Sequence, residues 1–316
     1  MFELLKALDS MSGGHIVRRF DDVNLSAFVQ NQLLDVIPQL YDRKFQALDA
    51  AEHIPVGPNG VNPGAMAWAY DSFDQRGVAD FIGANARDMP RADISNVRTS
   101  FPIRTIVSSY GWTLEEIEAA RFASVPLDVR KGVAARRAIA ELEHNTLLFG
   151  NAARGLPWFL RNPSTPLMTV PNGDWLNPAT TADQMLDDLN AMVDAVFVGT
   201  KKVHRVNRIA LPNTHFRRAQ TARLSNTTDT VMAFFERTNP GVTIRALTEL
   251  STEGPSSAPR AIAYELSADN LGGVVPLGFQ QLDPQIWGFE TVIPARERMA
   301  GTVWYYPASA VLADGI

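Results

Sequence analysis

Glu141 and His144 stand three residues apart in ELEHNTLLFGNAARGLPWFL, residues 141–160. On a helix this spacing puts carboxylate and imidazole on one face, as in di-iron and di-manganese bundles, where a Glu-x-x-His supplies part of the ligand set. Such a centre needs a second Glu-x-x-His and two more helical glutamates. None of the other histidines, His15, His53, His204 and His215, has a glutamate three residues before it. A solvated helix face explains the pair more simply: Arg137 and Glu141 are spaced for an i,i+4 ion pair, and Arg130, Lys131 and Arg136 add charge. On this reading Glu141 and His144 lie outside the main core, while Ile139, Leu142 and Phe149 supply the apolar face.

Carboxylates recur at Asp71 and Asp74 and at Asp183, Asp187 and Asp188, residue types able to hold Mg²⁺ or move a proton. Turn caps and solvated faces account for the same spacings. The basic group Lys201, Lys202, His204, Arg205 and Arg208, with Arg217 and Arg218 nearby, has the charge to touch phosphate, yet Lys201 and Lys202 equally suit the negative end of a helix. VGTKKVH at 198–204 lacks the spacing of a phosphate loop, and there is no Gly-x-Ser-x-Gly. Cysteine is absent, which removes thiolate ligands, thiol nucleophiles and disulfides together. Asn226-Thr227-Thr228 has the form of a glycosylation sequon and reads as a cap for the following helix. No catalytic, cofactor-binding or metal residue is assigned, and no cofactor is expected.

The elements that must carry these groups alternate along the chain. Residues 1–50 hold an amphipathic start, a break at Ser12 to Gly14, and helical spacing through Leu25, Phe28, Val29, Leu33 and Leu34 that Pro38 interrupts. HIPVGPNGVNPG, from His53, reads as loop. AMAWAYDSFD, 65–74, and SNVRTSFPIRTIVSSYGW, 95–112, alternate apolar with polar residues and predict a long two-stranded arm with an irregular tip, marginal without a partner surface. Thr113 and Glu116 form a capping box for LEEIEAARFA. Ser124 and Pro126 open a helix that runs through Phe149, about 23 residues or roughly 35 Å, and Gly150 stops it. Thr181 and Gln184 cap another helix. RVNRIALPN, 205–213, is a buried strand, THFRRAQTARL a helix, DTVMAFFERT a helix ending at Asn239-Pro240-Gly241, and VTIRALTEL and RAIAYEL strands of an α/β unit over 176–289. The closing segment after residue 289 is extended.

The chain of 316 residues is 46% hydrophobic and 20% charged, values of soluble globular material with room for a sizeable core. A net charge of -5 argues against a broad basic nucleic-acid-binding face. No secretion signal and no run of about 18 apolar residues is present, so a soluble protein without membrane association is expected.

The order of these parts resembles the HK97-fold major capsid proteins of tailed bacteriophages, within the encapsulin-like capsid group. The resemblance rests on residues 108–160, where an aromatic strand end, the T-x-x-E cap, a long Ala-rich helix and FGN...GL succeed one another, with IPV at 54–56 and IALPNTHF at 209–216 fitting the approach to the arm and the strand-to-helix step. It implies an α+β capsid fold: an N-terminal arm (1–50), an extended loop (51–112), a peripheral domain (113–175) with a spine helix (126–149), an α/β axial domain (176–289) and a return strand of the peripheral domain (290–316). It implies a structural role, not catalysis: hexamers and pentamers closing an icosahedral or prolate head around double-stranded DNA, assembled in the host cytoplasm, with portal, scaffold and cement proteins as further partners. An encapsulin nanocompartment shell is the alternative within the fold, and a soluble α/β enzyme the alternative outside it. Some members of the fold cross-link through a lysine on the extended loop. Here lysine occurs only at Lys6, Lys44, Lys131, Lys201 and Lys202, which implies a non-covalent shell.

Overall fold

A computed structural model describes residues 45–77, 79, 91–123 and 130–316, and every element below belongs to the unit Leu48–Ile316. The helix expected around Leu25 to Leu34, the arm tip and the helix start at Ser124 and Pro126 lie outside the described residues. A short helix α1 (Ala50–His53) and strand β1 (Val56–Gly57) lead into β2 (Ala67–Arg76) and β3 (Asp93–Pro102), which pair antiparallel from Ala67 opposite Pro102 to Arg76 opposite Asp93. The second extended segment is not one strand, as its alternation suggests, but two. Pro102 has no N–H to continue a ladder, the buried Ile103 donates to the Met66 carbonyl at 2.9 Å, and β4 (Arg104–Thr113) then leaves the arm. It pairs residue by residue with β12 (Glu290–Met299), from Arg104 opposite Met299 to Thr113 opposite Glu290.

At the end of β4 the capping box forms as expected: Glu116 N–H donates to Thr113 Oγ1 at 3.2 Å, and Thr113 N–H to Glu116 Oε2 at 3.0 Å. It opens α2 (Leu114–Ala123). The long helix α3 (Arg130–Phe149) stops at Gly150, whose φ is +63°. A Cβ there would meet the Leu156 carbonyl oxygen and the Trp158 side chain at 2.8 Å, so both backbone angle and space call for glycine.

A five-stranded sheet divides the interior in two. Its order is β5 (Leu167–Thr169), β14 (Ala310–Asp314), β8 (Arg260–Tyr264), β6 (Arg208–Leu211), β7 (Thr243–Ala246). Because side chains alternate across a strand, Ile209 and Leu211, Ala261 and Ala263, and Val311 and Ala313 face one core. There they meet α4 (Ala182–Gly199), α5 (Asn213–Thr221) and α6 (Val231–Thr238), which contribute Met185, Leu189, Met192, Val196, Ala219 and Phe235. Ala210, Ile262, Tyr264, Ala310 and Leu312 face the other core, with Ile139, Leu147 and Leu148 of α3, Phe159 and Trp304. The chain's last strand thus sits inside this sheet, between β5 and β8.

The box at Thr181 and Gln184 caps α4. α6 is capped by Thr230, which accepts from Ala233 N–H at 3.3 Å, and not by the sequon residue Asn226. Asn226 turns the chain at φ +59° instead, four residues before the capping position and too far away to reach the first helical amides. Strands β9 (Leu271–Val274), β10 (Leu277–Gln281), β11 (Gln285–Trp287) and β13 (Gly301–Trp304) complete two smaller sheets: β9 joins β1 to β13, and β12 takes β10 and β11 on the edge opposite β4.

Candidate functional site

The structure separates Glu141 from His144. Glu141 accepts from Arg137 Nε at 2.6 Å, the ion pair expected of a solvated face. His144, expected outside the core, is 5% exposed, and Leu142, expected in the apolar face, is 48% exposed. The buried stripe of α3 runs instead through Ala135, Ile139, His144, Leu147 and Leu148. What covers His144 is remote in sequence: the start of α1 and the turn Thr248–Thr252.

Asp49, His144 and Glu249 each bring a ligand-type atom within 4.8 Å of the others, the only such group among the described residues. Nε2 of His144 stands 2.9 Å from Glu249 Oε1, and the Ala50 backbone N–H donates to Nδ1 at 3.3 Å. A nitrogen that accepts an N–H must keep its lone pair, so the ring proton sits on Nε2 and is donated to Glu249. The lone pair that a metal would need on this ring is therefore already taken by the Ala50 N–H, while the other ring nitrogen donates to a carboxylate. The arrangement is a clasp that ties α3 to α1 and to the turn at Thr248–Thr252. Burial first, then the Glu249 charge, pushes the Asp49 carboxyl above its usual range.

The other candidates do not converge. Asp71 is bridged across the arm by Arg98, whose Nε and Nη2 donate at 2.7 and 2.8 Å, and both residues are exposed. Asp183 accepts from the Ser225 hydroxyl, and Asp187 is exposed. Asp188 is fully buried and accepts from Trp175 Nε1 at 2.8 Å and from both Asn172 nitrogens at 3.0 Å, a hydrogen-bonded core residue. In the basic group, His204 pairs with Glu265 at 2.8 Å, and Lys202 and Arg205 lie over the Phe197 ring. Lys201 and Lys202 follow the end of α4 as expected, and Arg217 and Arg218 are exposed on α5.

Unpartnered apolar surface collects in two places, the arm, which the alternation of 65–74 and 95–112 already left in need of a partner, and a hairpin tip that sequence reasoning missed. At the arm root Trp68, Tyr70 and Phe101 pack with Tyr305, with Tyr70 and Tyr305 rings 5.1 Å apart and edge-on. Further out, Phe73 and Ile94 on one arm face and Val97 on the other are exposed. A second patch crowns the turn joining β11 to β12: Ile286, Trp287 and Phe289 are 66 to 83% exposed, and Leu114 N–H donates to the Phe289 carbonyl at 2.7 Å. Three bulky apolar residues around Gly288, itself at φ +62°, were the available signal. A hairpin tip has no core to face.

Comparison with known proteins bears on these surfaces. The family described as major capsid protein matches residues 77–316. A type 1 encapsulin shell protein, EncA of Myxococcus xanthus (strain DK1622), is 30% identical over 124 residues, 39% of this chain and 41% of that relative, so the match spans well under half of its length. The capsid of Myoviridae Phage XM1 superposes with a TM-score of 0.78 at 16% identity, over 90% of this chain and 98% of that one. A virus-like particle from Pyrococcus furiosus superposes with a TM-score of 0.52 at 14% identity, over 84% and 91%.

Proposed function

The chain belongs to the major capsid protein family and is a shell-forming capsid protein with the HK97-like fold; from that premise we propose that its copies form hexamers and pentamers that close an icosahedral or prolate phage head around double-stranded DNA. The observation that carries this reading is the pair of exposed apolar surfaces, arm and β11–β12 tip, on a body whose two cores are already filled. A two-stranded ribbon cannot bury both of its faces by itself. Each of Phe73, Ile94 and Trp287, about two thirds exposed, would contribute about 1–2 kcal/mol on being covered by a neighbouring copy, and a closed shell covers the same surfaces on every subunit. The division into N-terminal arm, extended loop, peripheral and axial domains belongs to this proposal. Within that division α4 to α6 with β6 to β8 fall in the axial part, and α3 with β12 in the peripheral part. Portal, scaffold and cement proteins are its further partners, and the host cytoplasm its place of assembly.

Size-exclusion chromatography and negative-stain electron microscopy of the expressed chain test the proposal: closed particles of megadalton size are expected, and a stable monomer or dimer that never assembles overturns it. The match to the encapsulin shell protein supports a second reading, a protein-filled compartment. Nuclease-protected DNA inside particles recovered from a phage lysate separates the two, because a compartment holds protein cargo in its place. No lysine occurs between residues 51 and 112, so the shell is held without cross-links through this loop, and boiled SDS gels of particles should show a single subunit band; a ladder would contradict it.

A further inference from the structure

Glu143 and Glu297 meet on the inside of the molecule. Glu143 leaves the inner side of α3, and Glu297, 3% exposed, comes from β12, against which α3 packs. Their side chains hydrogen-bond to each other. An ionised carboxylate only accepts, so this bond exists only while one of the two carries a proton. Compensating cations are turned elsewhere. Arg296 donates to Gln280 Oε1 at 3.1 and 3.0 Å, and Arg298 donates to the carbonyls of Pro63 and Ala65 at the arm's entrance. From β4, the residue opposite Glu297 is the apolar Ile106. The titratable neighbour acting on Glu143 besides Glu297 is His144, on the same helix. Glu297 Oε1 has no hydrogen-bond partner, so no second donor compensates for loss of the shared proton.

We propose that Glu143 and Glu297 form a proton-held latch between the spine helix α3 and the strands that carry the arm. With one shared proton the seam is shut; without it, two carboxylates repel across the seam and it opens. The lever is direct, because β12 holds β4 along its whole length, β4 continues from arm strand β3, and the neighbouring Arg298 grips the arm's entrance. Burial first, then the charge of Glu143, raises Glu297 from the ordinary 4.5 to about 8, and burial raises Glu143 as well. The sign follows from linkage. The shut form keeps a proton that the open form releases above about pH 4.5, so the shut form is favoured at low pH and loses its advantage steadily as pH rises to about 8, after which the effect levels off.

Hydrogen exchange of the β12 and α3 amides in full-length protein tests this, read as the ratio of wild type to Glu297→Gln at each pH so that the intrinsic pH dependence of exchange cancels. The introduced side-chain amide can donate to Glu143 without a titratable proton. The ratio should climb by up to about tenfold per pH unit between pH 6 and 8 and flatten above about 8. A ratio that does not change with pH overturns the latch. Should Glu297→Gln fail to fold, Glu143→Gln gives the same comparison, and infrared spectroscopy of the wild type gives a second. A protonated-carboxyl carbonyl band present at pH 7 and missing from Glu143→Gln supports the latch, and no such band at pH 7 refutes it. The seam lies within one chain, so these measurements read the same whether or not the shell reading holds.

Discussion

Replacing His144 by alanine should cost far more than replacing Glu141, although the two share a helix and a motif. His144→Ala removes the acceptor for Ala50 N–H and the donor to Glu249, and empties most of an imidazole's volume at a site 5% exposed. One neutral hydrogen bond at about 1 kcal/mol, one to a carboxylate at about 1.5 kcal/mol or more, and a small residual cavity sum to about 3 kcal/mol. Glu141→Ala loses a partly exposed i,i+4 pair worth about 0.3–0.5 kcal/mol. At roughly 2–4 °C per kcal/mol, thermal unfolding followed by tryptophan fluorescence should fall by about 6–12 °C for His144→Ala and by under about 2 °C for Glu141→Ala. His144→Gln, which keeps an acceptor and a donor, should recover part of the loss. Prior dialysis against a chelator should leave the wild-type Tm in place. Equal shifts for the two alanine variants would refute the clasp, and a wild-type Tm that drops on chelation would return the metal reading.

Three further expectations follow from other parts of the molecule. Phe73→Asp combined with Ile94→Asp should leave the subunit's Tm within about 1 °C, because both side chains already face solvent, yet abolish particles in negative-stain micrographs; normal particles would show that the arm is not an assembly surface. Gly150→Ala should destabilise by about 1–3 kcal/mol in urea melts, since both φ and the Leu156 carbonyl oppose a Cβ, and an unchanged midpoint would show that the α3 terminus yields freely. Burial is the largest cause holding His53 and His215 below the ordinary 6.5. Their unfolded forms therefore gain protons first, and stability should fall as pH drops below about 6.5. His53→Gln should flatten part of that acid slope in pH-dependent unfolding, and an identical slope would contradict it.

Apart from the cap expected at Asn226 and found at Thr230, local chemistry was legible in the sequence where one segment supplied both partners. Thr113 with Glu116, Thr181 with Gln184, the Arg137 and Glu141 pair and the Gly150 stop all form as read, because each depends on residues within a few positions of one another. The spacing of α4 and the buried run of β6 likewise carry their own periodicity. Order and texture along residues 108–160 sufficed for the capsid fold.

What failed were readings of which side of an element meets something distant, although Ile139 was rightly placed on the buried face of α3. His144 is buried by Ala50 and Glu249, 94 and 105 residues away, and Leu142 is left outside as the same helix turns. The segment 95–112 keeps its alternation across Pro102 while its two halves join different sheets. Glu143 and Glu297 look like ordinary surface acids until α3 is laid on β12. By itself the sequence determined the elements, their caps and the absence of any complete catalytic or ligand signature, since these are set by backbone geometry and neighbours in the chain. The tertiary structure alone decided which side chains are buried, the meeting of Glu143 with Glu297 and the exposed apolar tip between β11 and β12, because each is a property of two segments whose meeting no local spacing records.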